Sequence, residues 1–426
     1  MLPYHSRSKE ELSGERTRLT AVFAGHKAKG LSLNMARGKP SAEQLELSLP
    51  MLDLLGSGSD CRAEDGADCR NYGELTGIVD AKKLFGEYLG VGQDQVIVVG
   101  SSSLTFMNDC MARAMLAGVL GSTRPWVREE QVKFLCPVPG YDRHFAICQF
   151  MGIQMINIPT SSEGPDMDLV ESLAANDPLI KGIWCVPKYS NPLGTSYSDR
   201  TMRRLAGMKT AAGDFRIFCD NAYAMHEVYR DVPVLDPIAA CAEAGNPDRA
   251  YVFGSTNKIT FPGAGVGFFA SSKENIAFTT KQIAMQAISW DKLNMLRHVR
   301  FFKSVAGIRS LMARHAAILR PKFDAVLQAM EAGLSGLDCG EWVKPDGGYF
   351  VTFFAKPGCA KRIIALCKEA GVTMTEAGAT YPYGKDPEDS CIRIAPSFPR
   401  LEELKLAMEI FCDAVKLATV EKLQSA

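Results

Sequence analysis

Val96-Ile97-Val98-Val99-Gly100-Ser101-Ser102-Ser103-Leu104 is the stretch on which the fold turns. Four consecutive apolar residues, all β-branched, predict a strand buried on both faces, because a half-solvated strand would alternate with polar residues. Small residues then break the run. From Ser102 to Leu116 the period changes, and Phe106, Met107, Cys110 and Met111 fall on one side of a helix. Strand, small-residue turn and helix in that order make half of a βαβ unit.

Outward from this stretch the pattern repeats. Strand-like runs lie at Val132–Leu135, Gln154–Ile158, Gly182–Val186, Arg216–Cys219, Ala250–Phe253 and Val266–Ala270. Helical stretches separate them, among them Asp199–Ala212 with Ser198 as its N-cap. The alternation predicts a three-layer α/β/α large domain around a mostly parallel sheet. After about residue 290 the order differs. A long amphipathic run, Asp291 to Met330, is expected to break or bend near Pro321. Gly348–Phe354, a helix at Ala360–Ala370, a strand at Cys391–Ile394 and a helix from Arg400 to about Lys422 follow, which is a smaller α+β domain. Ser8-Lys9-Glu10-Glu11 is a capping box that opens an N-terminal helix ending near Gly30. The expected division is 1–50 contributing to the small domain, 51–295 as the large domain and 296–426 as the small one.

Composition narrows the function. The 426 residues hold 48 Lys and Arg against 48 Asp and Glu. That balance provides no broad field to draw nucleic acid or an anionic membrane, so neither is an expected partner. The 13 cysteines are scattered, without CxxC spacing. They indicate neither a zinc site nor a disulfide framework, no metal is expected, and a reducing, cytoplasmic location fits them. Met1 to Leu12 lacks the apolar core of a signal peptide, and no apolar run approaches the ~18 residues of a membrane span.

Ligands of parallel sheets gather at the C-terminal ends of the strands, and several predicted strands here end in polar residues. Gly100 to Ser103 puts hydroxyls and free N–H groups at a helix start, which suits a phosphate and equally suits a plain N-cap. Phe218-Cys219-Asp220-Asn221-Ala222-Tyr223 ends a strand in an acid, to be read as metal ligand, cap or charge partner. Gly254-Ser255-Thr256-Asn257-Lys258 puts an amine where the core stops. Burial there would lower its pKa, as a Schiff-base lysine requires; a surface lysine on a Gly-rich loop is the bland alternative. Ser190-Asn191-Pro192-Leu193-Gly194 and Pro139-Gly140-Tyr141-Asp142-Arg143-His144 close two more strands. Arg393, between Ile392 and Ile394, needs an anion, either an internal ion pair or a carboxylate ligand.

In this order the motifs resemble the fold-type I pyridoxal-phosphate enzymes, and within them the class I/II aminotransferases, aspartate aminotransferase-like subgroup, some of whose relatives are grouped with MocR-type proteins. The resemblance runs from Arg37-Gly38-Lys39-Pro40 to Arg393. It implies pyridoxal 5′-phosphate (PLP) as cofactor and a ping-pong transfer between an amino acid, aspartate, and a 2-oxo acid, 2-oxoglutarate. By this resemblance Lys258 matches the lysine of the internal aldimine and Asp220 the carboxylate facing the pyridine nitrogen, oriented by His144. Asn191 and Tyr223 match the donors to the ring 3′-oxygen, and Tyr141 the ring stacked on the cofactor. Ser101, Ser102, Ser103 and Ser255 match the phosphate cup. Tyr72 matches a tyrosine that reaches the phosphate of the neighbouring subunit, which implies a homodimer with shared sites. Arg393 matches the grip on the substrate α-carboxylate, with Gly38 and Asn191 beside it.

One departure stands out. Relatives carry a phosphate-binding arginine in a Gly-x-Arg-x-Gly setting, whereas here Gly263-Ala264-Gly265-Val266-Gly267 offers none. The cation for a substrate side-chain carboxylate is open among Arg37, Lys39 and the cluster Lys292, Arg297, His298 and Arg300, whose bland reading is a solvated helix face. An aromatic or neutral amino donor, a PLP lyase or decarboxylase, and a PLP-sensing partner of a MocR-type regulator are the alternatives. Only about one helix precedes Gly38, too little for the DNA-binding domain such regulators carry.

Overall fold

The computed structural model describes residues 2–425. Its centre is an eight-stranded sheet ordered Val96–Val99, Gly267–Ala270, Ala250–Ser255, Arg216–Asp220, Ile180–Cys185, Lys133–Val138, Gln154–Ser161 and Gly164–Pro165. The pairings from Ala250–Ser255 through Gln154–Ser161 are parallel. Gly267–Ala270 runs antiparallel to both of its neighbours, and Gly164–Pro165 to its one. The strands at Val96, Ala250, Arg216, Ile180, Lys133 and Gln154 therefore all deliver their C-terminal ends to one edge.

The strands are apolar throughout because both faces are covered. Val96 and Val98 enter one core cluster while Ile97 and Val99 enter another. Cys219 and Val252 face the first cluster, Phe218 and Phe253 the second. Helix Ser103–Ala117 contributes Phe106, Met107, Cys110 and Met111 to the second. Helices Val79–Leu89 and Asp199–Gly207 serve the first. This is a three-layer α/β/α sandwich, as the alternation of strands and helices predicts.

A third core belongs to the smaller α+β part. Strands Gly340–Val343, Val351–Ala355 and Cys391–Ile394 form an antiparallel sheet. Leu33–Asn34 pairs in parallel with Val372–Thr373. Helix Lys9–Ala28 buries Leu12, Leu19 and Phe23 in the same cluster as Ala407, Phe411 and Val415 of helix Leu401–Ser425. Its capping box forms, with Ser8 accepting from the Glu11 N–H at 3.2 Å and the Glu11 carboxylate accepting from the Ser8 N–H at 2.7 Å.

Two expectations need correcting. The long C-terminal run breaks at Lys303, in left-handed backbone with φ 63°, and not at Pro321. It forms helices Lys292–Phe302 and Val305–Leu334, the second with Pro321 inside it. Proline removes one hydrogen bond there, but Leu319 and Phe323 on either side are fully packed and hold the axis. Helix Asp199–Gly207 also stops five residues short of Ala212. Val305, Ile308, Leu311 and Met312 lie in the large-sheet core, whereas Leu319, Phe323, Val326 and Met330 lie in the small one. One helix thus ties the two parts together.

Candidate active site

Asp220 ends its strand 3 % exposed. Its Oδ2 lies 3.1 Å from His144 Nε2. His144 is buried and stacked on the Trp184 indole, with centroids 4.3 Å apart and planes 7° from parallel. That stacking fixes the imidazole and, through it, the carboxylate. Asp220 Oδ1 is buried and has no hydrogen-bond partner. A buried carboxylate oxygen without a donor costs several kcal/mol, so it points to a cationic or N–H-bearing group that completes the site when bound.

Lys258 follows the adjacent strand Ala250–Ser255. Its Nζ lies 4.9 Å from the centroid of the buried Tyr223 ring. Burial pushes the ammonium below the usual lysine range; the Asp220 charge opposes this and the Arg393 charge adds to it. The turn that carries it is braced on both sides. His298 Nε2 sits 3.1 Å from Thr256 Oγ1 and 2.9 Å from Thr260 Oγ1, and Asn294 donates to the Ala264 and Gly265 carbonyls at 3.1 and 2.9 Å. From the other domain, the Tyr349 hydroxyl donates to the Lys258 carbonyl at 3.2 Å. Gln44 donates to that hydroxyl at 3.1 Å and lies 2.9 Å from His315 Nδ1.

Arg393 projects from strand Cys391–Ile394, 8 % exposed. Its Nη1 donates to Asn191 Oδ1 at 3.1 Å and to Asp142 Oδ1 at 3.3 Å. Its guanidinium carbon lies 4.7 Å from the centroid of Phe350. Gly38 is glycine for a steric reason: a Cβ there would come within 2.4 Å of the Phe350 ring. The Asn191 loop is pinned to the small domain by Thr352 Oγ1 donating to the Pro192 carbonyl at 2.7 Å.

Ser101 is exposed, and Ser102 caps helix Ser103–Ala117 by accepting from the Thr105 N–H at 3.2 Å. The N-cap reading of this turn is thus the one the Ser102 hydroxyl fulfils. Gly267 lies against it, since a Cβ there would sit 2.9 Å from the Ser102 carbonyl. Ser255, in register with Gly267, completes the rim. Where relatives carry the arginine, Val266 is core and a Cβ on Gly265 would sit 2.9 Å from the Asn257 side-chain amide, which would have to shift to admit a larger residue. Tyr141 is half-buried at the same edge, its ring edge-on to His144 at 5.0 Å, and burial pushes its phenol up. Tyr72 stands apart, 78 % exposed on its own protomer. Its segment is held down by Lys292, whose ammonium donates to the Asn71 and Gly73 carbonyls, and by Trp290 donating to the Leu75 carbonyl at 2.8 Å.

The solvated-face reading of the 292–300 cluster fails for Lys292 and His298, while Arg297 and Arg300 are half-buried. Lys292 is 1 % exposed and His298 is fully buried, because both support the loops beside Lys258 and Tyr72. Gln44, His315 and Tyr349 are further site-supporting residues. Sequence pattern gives no sign of this group, since Gln44 is separated from His315 and Tyr349 by 271 and 305 residues. Among the described residues no group of three His, Cys, Asp or Glu side chains converges as a metal site would. No helix is long and apolar enough to cross a membrane.

The aspartate amino-transferase family pattern matches residues 7–426. The aspartate aminotransferase of Corynebacterium glutamicum is 45% identical over 396 residues, 93% of this chain and 91% of that one. The crystal structure of an aspartate transaminase from the same organism superposes with a TM-score of 0.96 at 42% identity, over 99% of both chains. The α-aminoadipate aminotransferase of Thermus thermophilus, at 19% identity and a TM-score of 0.72 over 94% of this chain and 97% of that one, shares the fold.

His298 and His315 both have burial-lowered pKa values of about 4, against about 6.5 when free. The unfolded chain therefore takes up these protons first as pH falls. Stability should be full above about pH 6.5 and should decline toward pH 4, by at most about 1.4 kcal/mol per pH unit for each histidine. Urea unfolding midpoints against pH check this, with a shallower decline expected in His298→Gln.

Proposed function

The chain belongs to the aspartate amino-transferase family, and from that premise we propose that it moves the amino group of aspartate to 2-oxoglutarate on PLP held at Lys258. The orphaned Asp220 Oδ1 carries this reading, because it is the buried acceptor that a protonated pyridine nitrogen satisfies. When bound, the cofactor supplies an electron sink for the charge left as the substrate Cα loses its proton.

The chain's own groups do the rest. Asp220, aimed by His144, holds a proton on the ring nitrogen. Lys258, made less basic by burial, would carry a proton to and from the substrate carbon. Asn191 and Tyr223 address the ring oxygen, and Tyr141 covers the ring face. Ser101, Ser102, Ser103 and Ser255, with the N-terminal amides of helix Ser103–Ala117, hold the phosphate without an arginine. Arg393 binds the α-carboxylate against Asn191 and the Gly38 backbone, which favours transamination over decarboxylation because that carboxylate stays anchored.

The exposed Tyr72 favours a homodimer in which each protomer lends this ring to its partner's phosphate. The division at about residues 50 and 295 stands within the same proposal. The pairing of Leu33–Asn34 with Val372–Thr373 supports the first cut, while helix Val305–Leu334 begins in the large-sheet core and blurs the second.

A panel of amino acids mixed singly with the yellow holoenzyme should bleach its long-wavelength band fastest with aspartate and glutamate, and 2-oxoglutarate should restore it. Fastest bleaching by an aromatic or neutral amino acid would overturn the substrate assignment. Mixing inactive Tyr72→Ala and Lys258→Ala proteins should recover part of the activity through heterodimers carrying one intact site. Confirmed heterodimers without recovery would remove Tyr72 from the neighbour's site.

A further inference from the structure

Arg393 already holds a carboxylate. Asp142 Oδ1 lies 3.3 Å from Arg393 Nη1, approaching from the open side of the site with its own side chain 32 % exposed. The remaining contacts of Arg393 come from buried or neutral groups: Asn191 on the same nitrogen, Thr375 Oγ1 at 3.4 Å from Nη2, and the Phe350 ring. Arg393 Nε is buried without a partner. Among the described residues, Asp142 is the only negatively charged group hydrogen-bonded to this guanidinium. It stands where an incoming carboxylate seeking the same nitrogen must arrive.

We propose that Asp142 is a positioning residue that occupies Arg393 while the site is empty and yields it to the substrate α-carboxylate. The inference rests on the reading of Arg393 as the α-carboxylate site. Two features make the exchange inexpensive. Asp142 is the first residue of helix Asp142–Phe150, where the unpaired N–H groups and helix dipole favour a negative charge. Arg143 stands ready as a second cation, its Nε already 3.8 Å from Asp142 Oδ2. A short rotation therefore moves the Asp142 carboxylate from Arg393 to Arg143 without leaving it uncompensated. Arg393 meanwhile stays aimed by Asn191, Thr375 and Phe350.

The consequence is a competition built into the site. With Asp142 in place the guanidinium is neutralised, while Asn191, Thr375 and Phe350 hold its orientation. Substrate must displace one carboxylate to bind another, which raises the KM for amino acid and 2-oxo acid alike. Release of product is helped by the same returning carboxylate. A purely structural ion pair would act in the opposite direction, since its loss would misplace Arg393 and weaken binding.

The discriminating probe is succinate, a dicarboxylate with no amino or oxo group to react. It is titrated into the PLP-loaded protein and followed by calorimetry and by the cofactor absorbance. Asp142→Asn and Asp142→Ala should each bind succinate about three- to tenfold more tightly than wild type, a difference of about 1 kcal/mol. Their KM values should fall for both substrates, with kcat unchanged or lower. Arg143→Gln should weaken succinate in the wild-type background and have no effect in the Asp142→Asn background, because the receiving cation then has no carboxylate to receive. Unchanged or weaker succinate binding in both Asp142 variants, with the holoenzyme spectrum intact, would overturn the inference and leave the reading of Arg393 standing. Failure of the wild-type holoenzyme to bind succinate at all would overturn that reading itself.

Discussion

A carboxylate buried at the end of a parallel strand, bonded through one oxygen and bare at the other, is the constraint around which this protein is arranged. Keeping Asp220 there without a bound cation is costly. The surrounding structure accepts the cost: the Trp184–His144 stack fixes one oxygen and leaves the other aimed at empty donor space. The adjacent parallel strand then brings a lysine to the same edge, and burial weakens its hold on a proton. Acid and amine are neighbours because their strands are. The fold's contribution to chemistry is this register.

The second contribution comes from the smaller α+β part. Tyr349 donates to the Lys258 main chain, Gln44 and His315 hold Tyr349, and Thr352 pins the Asn191 loop. Arg393 reaches in from the small sheet. In the proposed reading the substrate-facing wall and the cofactor-facing wall belong to different sheets, and helix Val305–Leu334 runs through both cores as their common rod. Any relative motion of the two sheets would be felt at the lysine turn and at the carboxylate grip together.

Much of this was legible in the residues alone, for local reasons. Val96–Val99 reads as a strand because four apolar residues in a row leave few alternatives, Cys391–Ile394 because Cys391, Ile392 and Ile394 flank a single charge, and the Ser8 and Ser198 caps follow from hydroxyls placed just before a helical period. Asp220, Lys258 and Arg393 stood out because each is a charge set at the end or in the middle of an apolar run. What remained hidden depends on contacts between distant segments. Pro321 carries no mark of the packing that keeps its helix continuous. Lys292 and His298 look like a solvated face until the loops they support are in place. Asp142 looks like an ordinary helix-starting acid until Arg393, 251 residues away, is seen against it.

The proposed chemistry requires Lys258 to bind the cofactor covalently, opposite Asp220. Borohydride reduction of the PLP-loaded protein followed by peptide mass spectrometry tests this most directly. A single phosphopyridoxyl adduct on Lys258 is expected, with the Asp220→Ala protein holding cofactor far more weakly. An adduct on another lysine, or none after incubation with excess PLP, would contradict it.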